Sequence, residues 1–193
     1  MLVTFELPAA TIRETIGAAR RCGARLLVQP APMLADLADA VSLPWDQVDI
    51  LVPNEIEART LLKRGHDLFA DELAGALAAE LGVDTVVVTL GASGCVAHAG
   101  GVTRKYPAQK TEVVDTTGAS DAFTASLVAQ LTAGAAEADA IRAAQSAAAF
   151  GYSTRRRSRV HAIFRLRLLS GEAQQRSTGL KVSIQGCCDG ART

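Results

Sequence analysis

Val114-Asp115-Thr116-Thr117-Gly118-Ala119-Ser120-Asp121-Ala122-Phe123 is the stretch from which the rest of this chain can be read. It follows an apolar strand edge and opens the longest apolar helix pattern in the sequence. A small-residue turn at a helix start leaves backbone N–H groups without intrahelical partners, free to hold an anion. Gly118 and Ala119 let such an anion come close to the backbone. Asp121 sets a carboxylate in the first helical turn beside it. A carboxylate there repels a bound phosphate, so its chemical use is to accept a proton from an attacking hydroxyl. The plainer reading is a first-turn acid favoured by the helix dipole.

Outward from this stretch, strands alternate with helices. Leu2 to Glu6 reads as a buried strand, and Pro8 opens a helix with Ile12, Ile16 and Ala19 on one face, ending at Gly23. Arg25 to Gln29 is a strand closed by Pro30-Ala31-Pro32, and a helix over Met33 to Ala40 follows. Asp49 to Val52 is a strand; Pro53-Asn54 opens a helix through Leu62, and Asp71 to Leu81 is helical. Asp84 to Leu90 is an apolar strand, and Gly100-Gly101 joins Cys95 to Ala99 with Val102 to Tyr106 as a hairpin. Helices over Ala119 to Ala133 and Glu137 to Gly151 close the pattern. Such alternation predicts right-handed crossovers and an α/β fold with a largely parallel sheet. Ligands of such sheets sit beyond the carboxyl ends of the strands. Gln29 to Pro32, Pro53 to Glu57, Thr89 to Gly94 and Asp115 to Asp121 all fall there.

The 193 residues suffice for one domain, and 49% are hydrophobic while only 4% are aromatic, which favours Ala-, Val- and Leu-packed helices on buried strands. There is no run of about 18 apolar residues and no basic-then-apolar leader pattern, so a cytoplasmic protein without membrane partners is expected. Cys22, Cys95, Cys187 and Cys188 show no metal or disulfide spacing. His66, His98 and His161 have no partner at ligand spacing. The formal net charge of zero hides an asymmetry: residues 155–193 hold nine Lys/Arg and two acids, against eleven and eighteen before them. The division expected is therefore 1–152 as the folded portion and 153–193 as a basic, poorly ordered tail. Arg155-Arg156-Arg157-Ser158-Arg159 has no aromatic platforms beside it and reads as solvated chain, not as a nucleic-acid contact.

Four motifs together resemble the ribokinase-like carbohydrate kinases, the PfkB family. They are Gln29-Pro30-Ala31-Pro32, Pro53-Asn54-Glu55-Ile56-Glu57-Ala58, Thr89-Leu90-Gly91-Ala92-Ser93-Gly94 and Asp115-Thr116-Thr117-Gly118-Ala119-Ser120-Asp121. The resemblance covers about residues 1 to 151. It implies a three-layer ribokinase-like fold, with the family's N-terminal half and lid absent from this chain. It also implies ATP-dependent phosphorylation of a primary sugar hydroxyl, with ribose the expected sugar. By resemblance Asp121 is the base, and the amides of Gly118, Ala119 and Ser120 form the anion hole. Thr89, Gly91 and Gly94 match the loop along the nucleotide phosphates, and Gln145 borders the adenine. Asn54 and Glu57 hold Mg²⁺ through its waters, and Asp115 and Thr117 help to bind a monovalent cation such as K⁺. Plainer readings stand beside these: a capping box for Asn54 and Glu57, a tight turn for the glycines, and a helix-surface amide for Gln145. No GxxxxGK[ST] motif is present, which argues against a Walker-type ATPase. A homodimer fits the resemblance, and so does a catalytically impaired nucleotide-binding remnant or a fructose or nucleoside kinase.

Two residues depart from the family pattern at this edge. Gln29 stands where an asparagine is more frequent, and Ser120 stands where the family has glycine. A Cβ at 120 is expected to crowd the anion hole, with strain of roughly 1–2 kcal/mol if the position requires a positive φ. Tyr152-Ser153-Thr154-Arg155 does not reproduce the expected Val-Thr-Arg-x-Gly-Ala segment, which puts cation activation in question.

Overall fold

The computed structural model of the chain describes residues 1–62, 67–108 and 118–153. Six strands form one sheet in the order of the chain: β1 (Leu2–Thr4), β2 (Leu27–Gln29), β3 (Ile50–Leu51), β4 (Thr85–Thr89), β5 (Cys95–Ala99) and β6 (Val102–Tyr106). β1 to β4 pair in parallel, with Leu2 opposite Leu27, Leu27 opposite Ile50 and Ile50 opposite Thr85. β4, β5 and β6 continue as an antiparallel meander. Gly100 and Gly101 turn the last hairpin at φ 56° and 76°, the left-handed region in which glycine has no Cβ to clash.

Helices cover both faces. α1 (Ala9–Arg21), α2 (Leu37–Val41), α3 (Glu55–Leu61) and α4 (Leu73–Leu81) pack on the face that carries Val28, Leu51, Val86 and Val88. α5 (Ala119–Thr132) and α6 (Glu137–Ser153) pack on the opposite face, against Leu27, Ile50, Val52 and Val87. The period-two alternation of side chains along each strand divides one apolar sequence between two cores. The result is the α/β arrangement that the strand and helix alternation predicts, in the three layers that the family resemblance implies.

Local chemistry sets the element ends. Pro8 precedes α1, where its missing N–H costs no helical hydrogen bond. α2 begins at Leu37 and not at Met33, because the Asp36 carboxylate accepts from the Ala38 N–H at 2.8 Å and caps the helix there. α4 begins at Leu73, two residues after the sequence boundary, with Glu72 accepting from the Phe69 N–H at 2.8 Å. A short 3₁₀ turn over Trp45–Gln47 lies outside the sequence reading. It buries the Trp45 ring, which tilts against Phe5 at 6.1 Å and donates its indole N–H to the Ala40 carbonyl at 3.0 Å.

No helix among the described residues is long and apolar enough to cross a membrane. The basic tail beyond residue 153, Asp115, Thr117, His66 and His161 lie outside the described residues.

Candidate functional site

The carboxyl ends of β1 to β4 share one edge of the sheet, because the strands run in parallel. From β2 the chain passes into Pro30-Ala31-Pro32, with a cis peptide between Ala31 and Pro32. The Ala31 carbonyl accepts from the Phe5 N–H at 3.1 Å, which ties this loop to the end of β1. The Val52 N–H donates to the Val28 carbonyl at 2.9 Å and carries the β2–β3 pairing up to the Pro53-Asn54 loop. That loop in turn takes the Thr89 N–H on the Pro53 carbonyl at 2.9 Å, and Asn54 forms an isolated parallel bridge with Thr89.

α5 starts at this edge through Gly118, whose φ of +83° is the left-handed value that glycine supplies without strain. The Ala122 N–H reaches back to the Gly118 carbonyl at 2.9 Å. The amides of Ala119, Ser120 and Asp121 precede the first intrahelical bond and are directed out of the helix end. Among the described residues no side chain caps them. Asp121 is exposed in this first turn. A helix end with free amides and an adjacent carboxylate can hold an anion and take up a proton beside it.

Ser120 lies inside α5, and the residue of positive φ is Gly118, so the backbone strain contemplated for position 120 does not arise. Its hydroxyl oxygen accepts a hydrogen bond from the side-chain amide of Gln29 at 3.0 Å. Gln29 is only 3% exposed, at the end of β2. The end of β2 and the start of α5 are thus brought together side chain to side chain. Sequence reading noted each residue as a departure but not that the two touch; no local signal links positions so far apart in the chain.

Asn54 and Glu57 form the capping box. The Asn54 side-chain oxygen accepts from the Glu57 N–H at 2.9 Å, and the Glu57 carboxylate accepts from the Asn54 backbone N–H at 2.8 Å. The other carboxylate oxygen accepts from the Asn54 side-chain amide at 2.7 Å. Burial pushes the Glu57 carboxyl above its ordinary range, opposed by the hydrogen bond from the Asn54 backbone. An amide oxygen and a carboxylate are hard donors that suit Mg²⁺. With both carboxylate oxygens already engaged, the pair fits an ion that keeps its waters better than one bound directly. Among the described residues no group of three or more His, Cys, Asp or Glu side chains forms a metal cluster.

The Thr89–Gly94 loop leaves β4 through a 3₁₀ turn over Gly91–Ser93, closed by the Leu90 N–H on the Gly94 carbonyl at 2.8 Å. Gly94 is obligatory: its φ is +94°, and a Cβ there would run into the Tyr106 carbonyl oxygen. Gln145 of α6 holds the same segment. Its amide nitrogen donates to the Tyr106 carbonyl at 2.8 Å and to the Pro107 carbonyl at 3.3 Å. The Gln145 amide hydrogens therefore clamp the end of β6, a role that the sequence reading as an adenine neighbour or a surface glutamine did not contain.

The fold agrees with known proteins. The family model described as "pfkB family carbohydrate kinase" matches residues 2–156. Ribokinase of Mus musculus is 38% identical over 132 residues, covering 66% of this chain and 39% of that protein. Ribokinase of Haemophilus influenzae is 32% identical over 153 residues, covering 77% and 48%. The crystal structure of ribokinase from Thermotoga maritima superposes with a TM-score of 0.70 at 26% identity, covering 86% of this chain and 56% of that one. Arabidopsis thaliana ribokinase, complexed with ribose and ATP, gives a TM-score of 0.68 at 28% identity, covering 78% and 48%. The chain spans less than half the length of these two curated relatives. Its fold, its edge loops and these likenesses place it in the pfkB family of carbohydrate kinases.

Proposed function

We propose that this chain carries the phosphoryl-transfer part of an ATP-dependent carbohydrate kinase acting on a primary sugar hydroxyl, with ribose the first sugar to test. The observation that carries the reading is the α5 start: free amides and Asp121 at the sheet edge, held to β2 by the Gln29–Ser120 bond. Ribose and ATP are bound by the Arabidopsis ribokinase in its complex, which supports the same pair here.

In this reading Asp121 accepts the proton of the sugar hydroxyl as its oxygen attacks the γ-phosphorus. The new O–P bond forms while the bond from the γ-phosphorus to the bridging oxygen breaks, and ADP leaves with that electron pair. The amides of Gly118, Ala119 and Ser120 take the charge that develops on the transferred group, an electrostatic task that needs alignment more than covalent chemistry. Thr89, Gly91 and Gly94 line the nucleotide phosphates, and Gln145 supports that wall by fixing Tyr106 and Pro107. Mg²⁺, when bound, neutralises phosphate charge; Asn54 and Glu57 would hold it through its waters. Asp115 and Thr117 are assigned to a monovalent cation such as K⁺. Residues 1–152 carry all of these roles, and a cytoplasmic homodimer belongs to the same reading.

The test incubates the purified chain with Mg-ATP and a sugar panel beside Asp121→Asn, following ADP and sugar phosphate. Sugar-dependent ADP release that Asp121→Asn abolishes supports transfer. Equal rates for the two proteins would remove Asp121 as the base. The share of the relatives' length that is covered favours one second reading, a nucleotide-binding portion without turnover of its own. Calorimetric Mg-ATP binding with no product would establish it.

A further inference from the structure

Gln29 is an amide side chain buried to 3% exposure at the end of a central strand, and it spends a hydrogen bond on a hydroxyl 91 positions away. Burying an amide is costly unless its bonding is specific. The hydroxyl that it meets is the second residue of α5, one position before the exposed carboxylate of Asp121. A serine hydroxyl offers one donated and two accepted hydrogen bonds. Here the oxygen accepts from Gln29, and among the described residues its own hydrogen has no acceptor. Ser120 is exposed, on the turn whose amides lack helical acceptors.

We propose that Gln29 is a positioning residue for Ser120. The buried amide fixes the hydroxyl so that its hydrogen is donated to the phosphate held at the start of α5, adding a side-chain donor to the backbone ones. The inference rests on the reading of α5 as a phosphate site. It also reverses the sequence expectation that a side chain at position 120 weakens that site. Gln29 and Ser120, each a departure from the family pattern, act as a unit: a hydroxyl without the amide is free to rotate, and the amide without the hydroxyl loses its partner. A donor already aligned before the ligand arrives loses less entropy on binding than one that must be recruited.

The experiment is a double-mutant cycle on the purified chain, with Mg-ATP binding measured by calorimetry and urea unfolding measured on every variant. Ser120→Ala is expected to weaken Mg-ATP about tenfold, the effect of one hydrogen bond to a charged group. Ser120→Thr, which keeps the hydroxyl, recovers most of that loss, and a urea midpoint for Ser120→Ala close to that of the unmodified chain separates the binding role from a purely structural one. Gln29→Met, of similar length without the amide, weakens binding about threefold. The double variant Gln29→Met/Ser120→Ala binds no more weakly than Ser120→Ala alone, because the two losses are one interaction. Additive losses would overturn the pair, as would Ser120→Ala binding as tightly as the unmodified chain while that chain binds normally. Failure of the unmodified chain itself to bind Mg-ATP would overturn the phosphate-site reading together with the inference drawn from it.

Discussion

Asn54 and Glu57 hold one another through three hydrogen bonds, so that the start of α3 and the candidate metal pair are the same two side chains. The helix gains its cap from a carboxylate that burial disfavours in its charged form. The folded chain therefore binds the Glu57 proton more tightly than the unfolded chain does. Stability from this source is fully present below the unfolded carboxylate range and is lost as pH rises through the raised folded value. Glu57→Gln removes the titration while keeping an oxygen for the Asn54 N–H. Its urea midpoint relative to the unmodified chain is expected to rise from about pH 4 to about pH 7, while Mg²⁺-dependent phosphoryl transfer falls. A constant difference across that range would deny Glu57 its raised value.

Gly94 and Gly91 lie in one turn but are expected to respond very differently to alanine. At Gly94 the added Cβ meets Tyr106, Pro107 and Ala108 backbone at a φ of +94°; at Gly91, with φ +56°, it meets nothing within 4 Å. Gly91→Ala is expected to cost about 1 kcal/mol of left-handed strain. Gly94→Ala adds overpacking against backbone that cannot yield, for about 3 kcal/mol or more. Chemical denaturation of the two variants checks the order, and similar midpoints would mean that the β6 end moves aside freely.

Gln145 presents only N–H donors to two carbonyl oxygens. Gln145→Leu is expected to destabilise by about 1–2 kcal/mol through the lost bonds. Gln145→Glu is expected to be worse, because a carboxylate cannot donate and faces two acceptors. Thermal unfolding ranks the three proteins. A Glu variant more stable than the Leu variant would mean that the clamp is not what holds Tyr106 and Pro107.

Thr124 carries a buried hydroxyl oxygen with no hydrogen-bond partner among the described residues. It lies in α5 with only 1% of its surface exposed. Replacing an unpaired buried hydroxyl by a methyl of the same shape removes a desolvation cost, so Thr124→Val is expected to stabilise by about 1 kcal/mol. A lower urea midpoint for that variant would reveal a partner for the hydroxyl.

The sequence pattern carries the strands and helices well where apolar spacing and punctuation agree. Both arms of the β5–β6 hairpin begin and end where Gly100-Gly101 sets them. Boundaries moved where a side chain overruled the pattern, as Asp36 did at α2. Trp45 escaped because a short 3₁₀ turn has no period to detect. In the site, local relationships such as the Asn54–Glu57 box were legible from three-residue spacing. Gln145 to Tyr106 and Gln29 to Ser120 were not, since they depend on which helix crosses which strand end. A helix of ordinary composition gives no hint that one of its amides will be spent on a distant carbonyl.

The sheet joins two kinds of pairing, and they differ in what the chain must do to form them. β4, β5 and β6 meet through short turns, with Thr89 opposite Cys95, whereas Leu2 waits for Leu27 and Ile50 for Thr85 across whole helices. Closing the nearer loops loses less chain entropy, so the meander is expected to assemble first and serve as the template on which the parallel strands dock. Substitutions at Val87 should then slow refolding, while those at Val3 should chiefly hasten unfolding.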